Sequence, residues 1–242
     1  MSASGKRRED AQPGFVLHSY PYRESSLVVE SFTRDHGRVA LVARGARRPK
    51  SALRGALLSF QPLLLSWSGR NDLRTLVRAE WHGGYAPLAG HALICGFYLN
   101  ELLLKLLARD DPHEKLFEAY VGALAALGRS REQEAVLRRF EIDLLRELGY
   151  AVTLDRDAES GAPIANGRRY IYIVERGPVD AAGAAGNGVE LSGQTLIDMQ
   201  SGNFAGAVTQ QQSKALMRAL INHHLGSQVL HTRQLLRDLQ EL

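Results

Sequence analysis

The 242-residue chain has one cysteine, Cys95, so it can form neither an internal disulfide nor a cysteine-rich zinc site. No stretch reaches the roughly 18 uninterrupted apolar residues of a membrane-spanning helix. Residues 1–13 are polar and lack the apolar segment of a secretory signal, so a disordered leader and a cytoplasmic protein are expected. There is no G-x-x-x-x-G-K-S/T phosphate loop, no G-x-G-x-x-G after a strand, no G-x-S-x-G and no H-E-x-x-H. His223 and His224 are adjacent on a helix, where neighbours point in different directions and cannot share a metal. The acidic run Asp155–Glu159 reads as a solvated loop, and Cys95 as inert core. No spacing supports catalysis, so no enzyme activity, metal or cofactor is expected.

What the chain does have is ordinary globular composition, with 45% apolar and 23% charged residues, and an uneven charge. Residues 1–82 carry 14 Lys/Arg against 7 Asp/Glu, a balance of +7, and residues 83–242 carry 16 against 19, a balance of −3. A polyanion-facing surface is therefore expected in the first third.

That third contains five strand-like runs. They are Phe15–Ser19, Ser26–Thr33, Arg38–Arg44, Pro62–Ser68 and Leu73–Trp81. Turn signals at Asp35-His36-Gly37 and Gly69–Asp72 join the second run to the third and the fourth to the fifth. Residues 45–61 leave room for one short helix between the third and fourth runs. This predicts an α+β multidomain protein in which residues 14–82 form a five-stranded OB-fold β-barrel. On the fifth strand, strict alternation puts Leu73, Thr75, Val77, Ala79 and Trp81 on one face.

The breaker cluster His82–Pro87 marks a boundary, and an α-helical domain is expected over 83–242. Residues 88–109 are apolar nearly all round, as in a buried helix, with Glu101 and Lys105 as an i,i+4 pair. Asp110-Asp111 is expected to end this helix and cap the next, at 112–127. A third helix spans 131–148 and stops at Gly149. Residues 151–190 read as an irregular insert with one strand at Arg169–Glu175 and a flexible loop at 177–188. Two helices close the chain, the first opened by a Thr209-x-x-Gln212 capping box and the second over 232–242.

The densest charge lies in VARGARRPKSALRG, residues 42–55. Arg44, Arg47, Arg48, Lys50 and Arg54 fall within eleven positions with no acid among them. Like charges so close repel, so the stretch needs water or an anionic partner. In an OB barrel this loop lies beside the groove where single strands run, and Arg74 and Arg78 would extend the track. Tyr20, Tyr22, Phe32, Phe60 and Trp67 are the available aromatics, each expected in the core rather than against a base. Phosphate attraction alone does not separate DNA from RNA, so an RNA-binding or ribosome-associated OB protein is the alternative reading.

Four segments carry a resemblance: FVLHSYPYRESSLVVESFT (15–33), GRVALVARGARRPKSALRGALLSFQPLLLSW (37–67), YLNELLLKLL (98–107) and LRRFEIDLLRELGY (137–150). In this order they resemble the RecO family of bacterial recombination mediators. The resemblance implies an OB domain and a helical domain with no enzymatic turnover. It implies binding of single- and double-stranded DNA, annealing of complementary strands and help in loading RecA. The partners it implies are RecR, the single-stranded-DNA-binding protein and, at one remove, RecA, with RecF a further candidate. It places the protein on the nucleoid. Some members hold a four-cysteine zinc module between the helices; the matching region here, 154–176, has no cysteine, so the chain resembles the zinc-free branch. The acidic tail of the single-stranded-DNA-binding protein ends in an apolar residue and needs an apolar groove rimmed by cations. Leu137, Arg138, Arg139 and Phe140 are the candidates for that groove.

Overall fold

The computed structural model describes residues 8–84, 86–129, 132–150, 152–183 and 187–240. Two compact units divide the chain, one made of residues up to 129 together with those from 230 onward, the other of 130–229. The expected boundary near residue 82 is where strands give way to helices; the compact units divide elsewhere.

In the first unit β1 (Arg8–Tyr22), β2 (Ser26–Thr33), β3 (Gly37–Ala43), β4 (Leu63–Ser68) and β5 (Leu73–Trp81) close into a barrel in the order β1-β2-β3-β5-β4. Every neighbouring pair is antiparallel except β3 and β5. With the short α1 (Ala52–Ala56) between β3 and β4, this is the OB plan.

Residues 8–13 are strand, not leader. Arg8, Glu9, Gln12 and Pro13 pair with Ser68, Trp67, Leu65 and Leu64, while the second half of β1 pairs with β2. Without that first half, β4 would be left with an open edge. The polar composition of 8–13 conceals the strand, and a register shift between Glu9 and Gln12 interrupts its alternation. Residues 1–7 of the expected leader lie outside the described residues.

Alternation also fails on β5. Ser66 pairs with Arg78 and Trp67 with Leu76, so Val77 is an extra residue, a β-bulge. Leu76 and Ala79 consequently both reach the core, and Val77 is pushed outward. Val16, Val29, Val39, Leu41, Leu63, Leu65 and Trp67 fill the rest of the interior.

The outer face of β1 and β2 is apolar as well, because Phe15, Leu17, Val28 and Phe32 are buried. Helices α2 (Gly90–Leu106) and α3 (Glu114–Leu127) cover it. Phe15 and Phe32 lie 5.3–6.0 Å from the rings of Phe117 and Tyr120. The buried Asn100 amide donates to the Leu17 carbonyl (2.9 Å) and its oxygen accepts from the Tyr120 hydroxyl (2.6 Å). The Glu101–Lys105 pair forms at 2.9 Å, and Glu101 also holds the first turn of α7 (His231–Gln240).

The second unit packs α4 (Gln133–Glu147), α5 (Gly193–Ser201) and α6 (Ala207–Leu225) with a three-stranded sheet. Its strands β6 (Arg169–Ile173), β7 (Gly177–Asp180) and β8 (Val189–Ser192) lie in the order β7-β6-β8. The part of the expected loop at 177–180 is therefore paired strand, and 184–186 lie outside the described residues. Gly149 ends α4 as expected. At φ +80° it takes the left-handed turn, with Tyr150 N–H bonding to the Leu145 carbonyl and Gly149 N–H to Arg146.

The Thr209 capping box does not form. Helix α6 opens two residues earlier, at Ala207, without a side-chain cap, and the Thr209 hydroxyl donates to Asp198 Oδ2 (2.6 Å). Gln212 instead accepts from the Thr195 hydroxyl (2.6 Å) and Ser192 N–H (3.0 Å) at the start of α5. Asp155–Glu159 is not simply a solvated loop either. Asp157 is buried, and its two oxygens accept from the N–H groups of Glu159, Ser160 and Asp180 and from the Ser160 hydroxyl, at 2.7–2.9 Å. Burial opposes the charge, but these hydrogen bonds outweigh it and lower the pKa.

Candidate nucleic-acid interface

Strand direction decides which loops meet. β1, β3 and β5 run the same way, so the β1–β2 turn, the β3–β4 connection and the exit from β5 share one end of the barrel. The β2–β3 and β4–β5 turns lie at the other end.

The β3–β4 connection is held at two points. Ala46 is fully buried and Leu57 nearly so, both in the barrel core, with Leu53 of α1 packed beside them. Turn hydrogen bonds from Arg48 N–H to Gly45 and from Ser51 N–H to Arg48 fold the chain between these anchors. Small and apolar residues point in, so the long cationic ones must point out. Arg44, Arg47, Arg48, Lys50 and Arg54 are all exposed, and no ion pair to any of the five is formed among the described residues.

Arg47 also ties the loop to the β1–β2 turn. Its N–H donates to the Ser25 carbonyl (2.9 Å) and its guanidinium to the Glu24 carbonyl (3.2 Å). This brings in Arg23, an exposed cation that stands 5.1 Å over the Tyr22 ring. A lone arginine in a turn gives no sequence signal; only the parallel course of β1 and β3 reveals it. Glu24 in the same turn is exposed and tempers the field.

The structure does not bring Arg74 to this cluster. Arg74 starts β5 at the opposite end, is only 15% exposed as a side chain, and pairs with Asp110 Oδ1 at 2.7 Å. Asp110 is thus an ion-pair partner rather than a helix cap. Helix α2 has already ended at Leu106, and the residue preceding α3 is His113. Arg78 does face solvent, in contact with Glu80. Among the aromatics, Phe32, Phe60 and Trp67 are buried as expected, whereas Tyr20 is exposed and Tyr22 half-buried instead of core.

In the second unit the α4 candidates separate. Leu137 and Phe140 are core. Arg138 turns inward to Glu141 at 2.8 Å. Arg139 alone is exposed, donating to the Gly202 carbonyl that ends α5 (2.9 Å) and standing 5.8 Å over Phe204. Two turns on, exposed Arg146 donates to Gln200 Oε1 (3.3 Å). Gln200 lines an open cavity of about 300 Å³ with Leu154, Asp155, Ile164, Ile197 and Ser201. The four residues named from sequence do not together line a groove; an apolar hollow with arginine at its edge lies against α5 instead.

Among the described residues no cluster of three or more His, Cys, Asp or Glu is placed to hold a metal, and no helix is long and apolar enough to cross a membrane.

A closed OB barrel with one cationic end, followed by a helical half, is the class that fold and site define. Comparison with known proteins narrows it. Residues 9–85 match the family model for the recombination protein O N terminal, and 88–234 the one for the recombination protein O C terminal. The DNA repair protein RecO of Aromatoleum aromaticum is 59% identical over 239 residues, covering 99% of this chain and all of that protein. That of Nitrosospira multiformis is 56% identical over 98% of both chains, and that of Thiobacillus denitrificans 53% identical over all of this chain and 97% of its own. The chain belongs to the RecO family of DNA repair proteins.

Proposed function

We propose that the cationic end of the barrel binds single- and double-stranded DNA, that the chain thereby anneals complementary strands, and that it assists RecA loading onto DNA coated with single-stranded-DNA-binding protein. It does so on the nucleoid and without turnover. One observation carries this: five exposed cations, without ion pairs among the described residues, are pinned outward by the buried Ala46 and Leu57. Cations so arranged are satisfied by phosphates, whose contacts position a strand without reading its sequence. Annealing follows if both strands are held by their backbones with bases free to pair.

The test is charge reversal. Replacing Arg47, Arg48 and Lys50 by Glu is expected to weaken binding to every DNA sequence alike. If about five phosphates are neutralised, the salt slope for single strands is about −3.5, at ~0.7 per contact. Unchanged affinity in the triple variant, or binding indifferent to salt, refutes the reading. Competition between DNA and RNA of equal sequence tests the alternative, and preference for RNA would favour it.

The family membership supports RecR, the single-stranded-DNA-binding protein and, through them, RecA as partners, with RecF a further candidate. For an acidic tail with an apolar end, the face next to α5 offers an apolar floor at Leu154, Ile164 and Ile197 with Arg139 and Arg146 at hand. Arg139→Glu should weaken pull-down by the tail peptide while leaving DNA affinity intact.

A further inference from the structure

Trp81 is the most exposed large apolar side chain among the described residues, at 67%. It ends β5 at the barrel rim, paired with Leu63, the first residue of β4. That rim is the one carrying the basic loop and Arg23. Two contacts fix the indole. Its N–H donates to Gln61 Oε1 (3.4 Å), and Gly84 lies so near that a Cβ there would sit 2.7 Å from Trp81 Cζ2. The ring is thus oriented by groups at its edge while most of its surface stays in water.

An oriented, solvent-facing indole gains little for the fold, since its apolar area is left out of the core. Its surroundings select the occupant. A flat apolar ring on the same end of the barrel as the basic loop matches a polyanion with flat apolar faces, which is an unpaired strand of nucleic acid. We infer that Trp81 is a stacking platform for an unpaired base of the strand whose phosphates the basic loop holds. This rests on the proposed DNA-binding function and adds to it a contact that duplex DNA, with its bases already stacked, does not make.

Trp67 is buried in the barrel, so only Trp81 of the two tryptophans is open to a ligand. Intrinsic fluorescence of the full chain therefore reports on this site. Titration with oligo(dT) should quench it, and an abasic phosphate chain of equal length or a duplex should not. Trp81→Ala should bind oligo(dT) roughly 5- to 150-fold more weakly, keep the wild-type salt slope, and bind the abasic chain normally. Trp81→Phe, which retains a ring, should recover most of the affinity. Oligo(dT) binding with no quenching, or with equal affinity in Trp81→Ala, overturns the inference while salt-dependent binding leaves the parent reading standing. Loss of salt dependence in the wild type removes the parent reading itself. Should Trp81→Ala unfold, the wild-type quenching and Trp81→Phe still decide.

Discussion

A single carboxylate shows how much one side chain can do here. Glu101 sits near the middle of the buried α2 yet stays ionised, with its carboxyl held at about 2 instead of 4.5. Burial works against the charge, but the Thr232 hydroxyl and N–H, the Lys105 ammonium and the His231 N–H together outweigh it. These are the free N–H groups at the start of α7, so Glu101 caps a helix distant in sequence. A carboxyl depressed in the folded state stabilises fully above its unfolded value. That contribution is lost as pH falls from about 4.5 toward 2. Glu101→Gln should lower stability at neutral pH by about 1–3 kcal/mol, since it weakens charge-assisted hydrogen bonds to part-buried donors. In denaturant titrations the gap to wild type should close as pH drops through that window; a constant gap would contradict the assignment.

Among the elements, the segment from 155 to 180 is organised by another carboxylate. Asp157 gathers three N–H groups and a hydroxyl, fixing the turn after it and joining it to β7. A side chain thus supplies the crosslink in this stretch. Asp157→Asn replaces one accepting oxygen with a donor, and a clash of donors results at either Asp180 or Ser160. Its thermal midpoint should fall by several degrees, whereas a chelator should leave the wild-type midpoint where it is.

What the sequence reveals about these elements has a pattern. β2, β3 and β4 show as short β-branched or apolar runs and α2, α3, α4 and α6 in the spacing of their apolar residues, whereas α5 does not show. The first half of β1 does not show, since it contributes backbone pairing more than side-chain burial. The bulge at Val77 hides the facing of β5 up to that point, while Trp81, on the face of Ala79, is exposed because it ends the strand at the rim. Asp157 hides because an acidic run looks the same whether its carboxylates meet water or folded N–H groups. The five basic-loop residues are legible as a cluster, but Arg74 looks equivalent to Arg78 until strand direction separates them. Adjacent Arg138 and Arg139 look alike until the helix turns one inward.

For the molecule as a whole, closure of the barrel depends on the outermost stretch of chain. Removing residues 1–13 should expose the edge of β4 and lower the thermal midpoint or cause aggregation. A dispensable leader would leave both unchanged, so a scan of the truncated chain discriminates.

The first unit takes its last helix from beyond residue 230, so residues 130–229 form an insertion within it. During synthesis the inserted unit leaves the ribosome whole before α7 exists, and units of a chain fold as they emerge. Glu101 must then wait, charged and without the N–H groups that hold it, until His231 and Thr232 have emerged. The basic end of the barrel is thus made early, while the helical cover over β1 and β2 is completed only after the inserted unit.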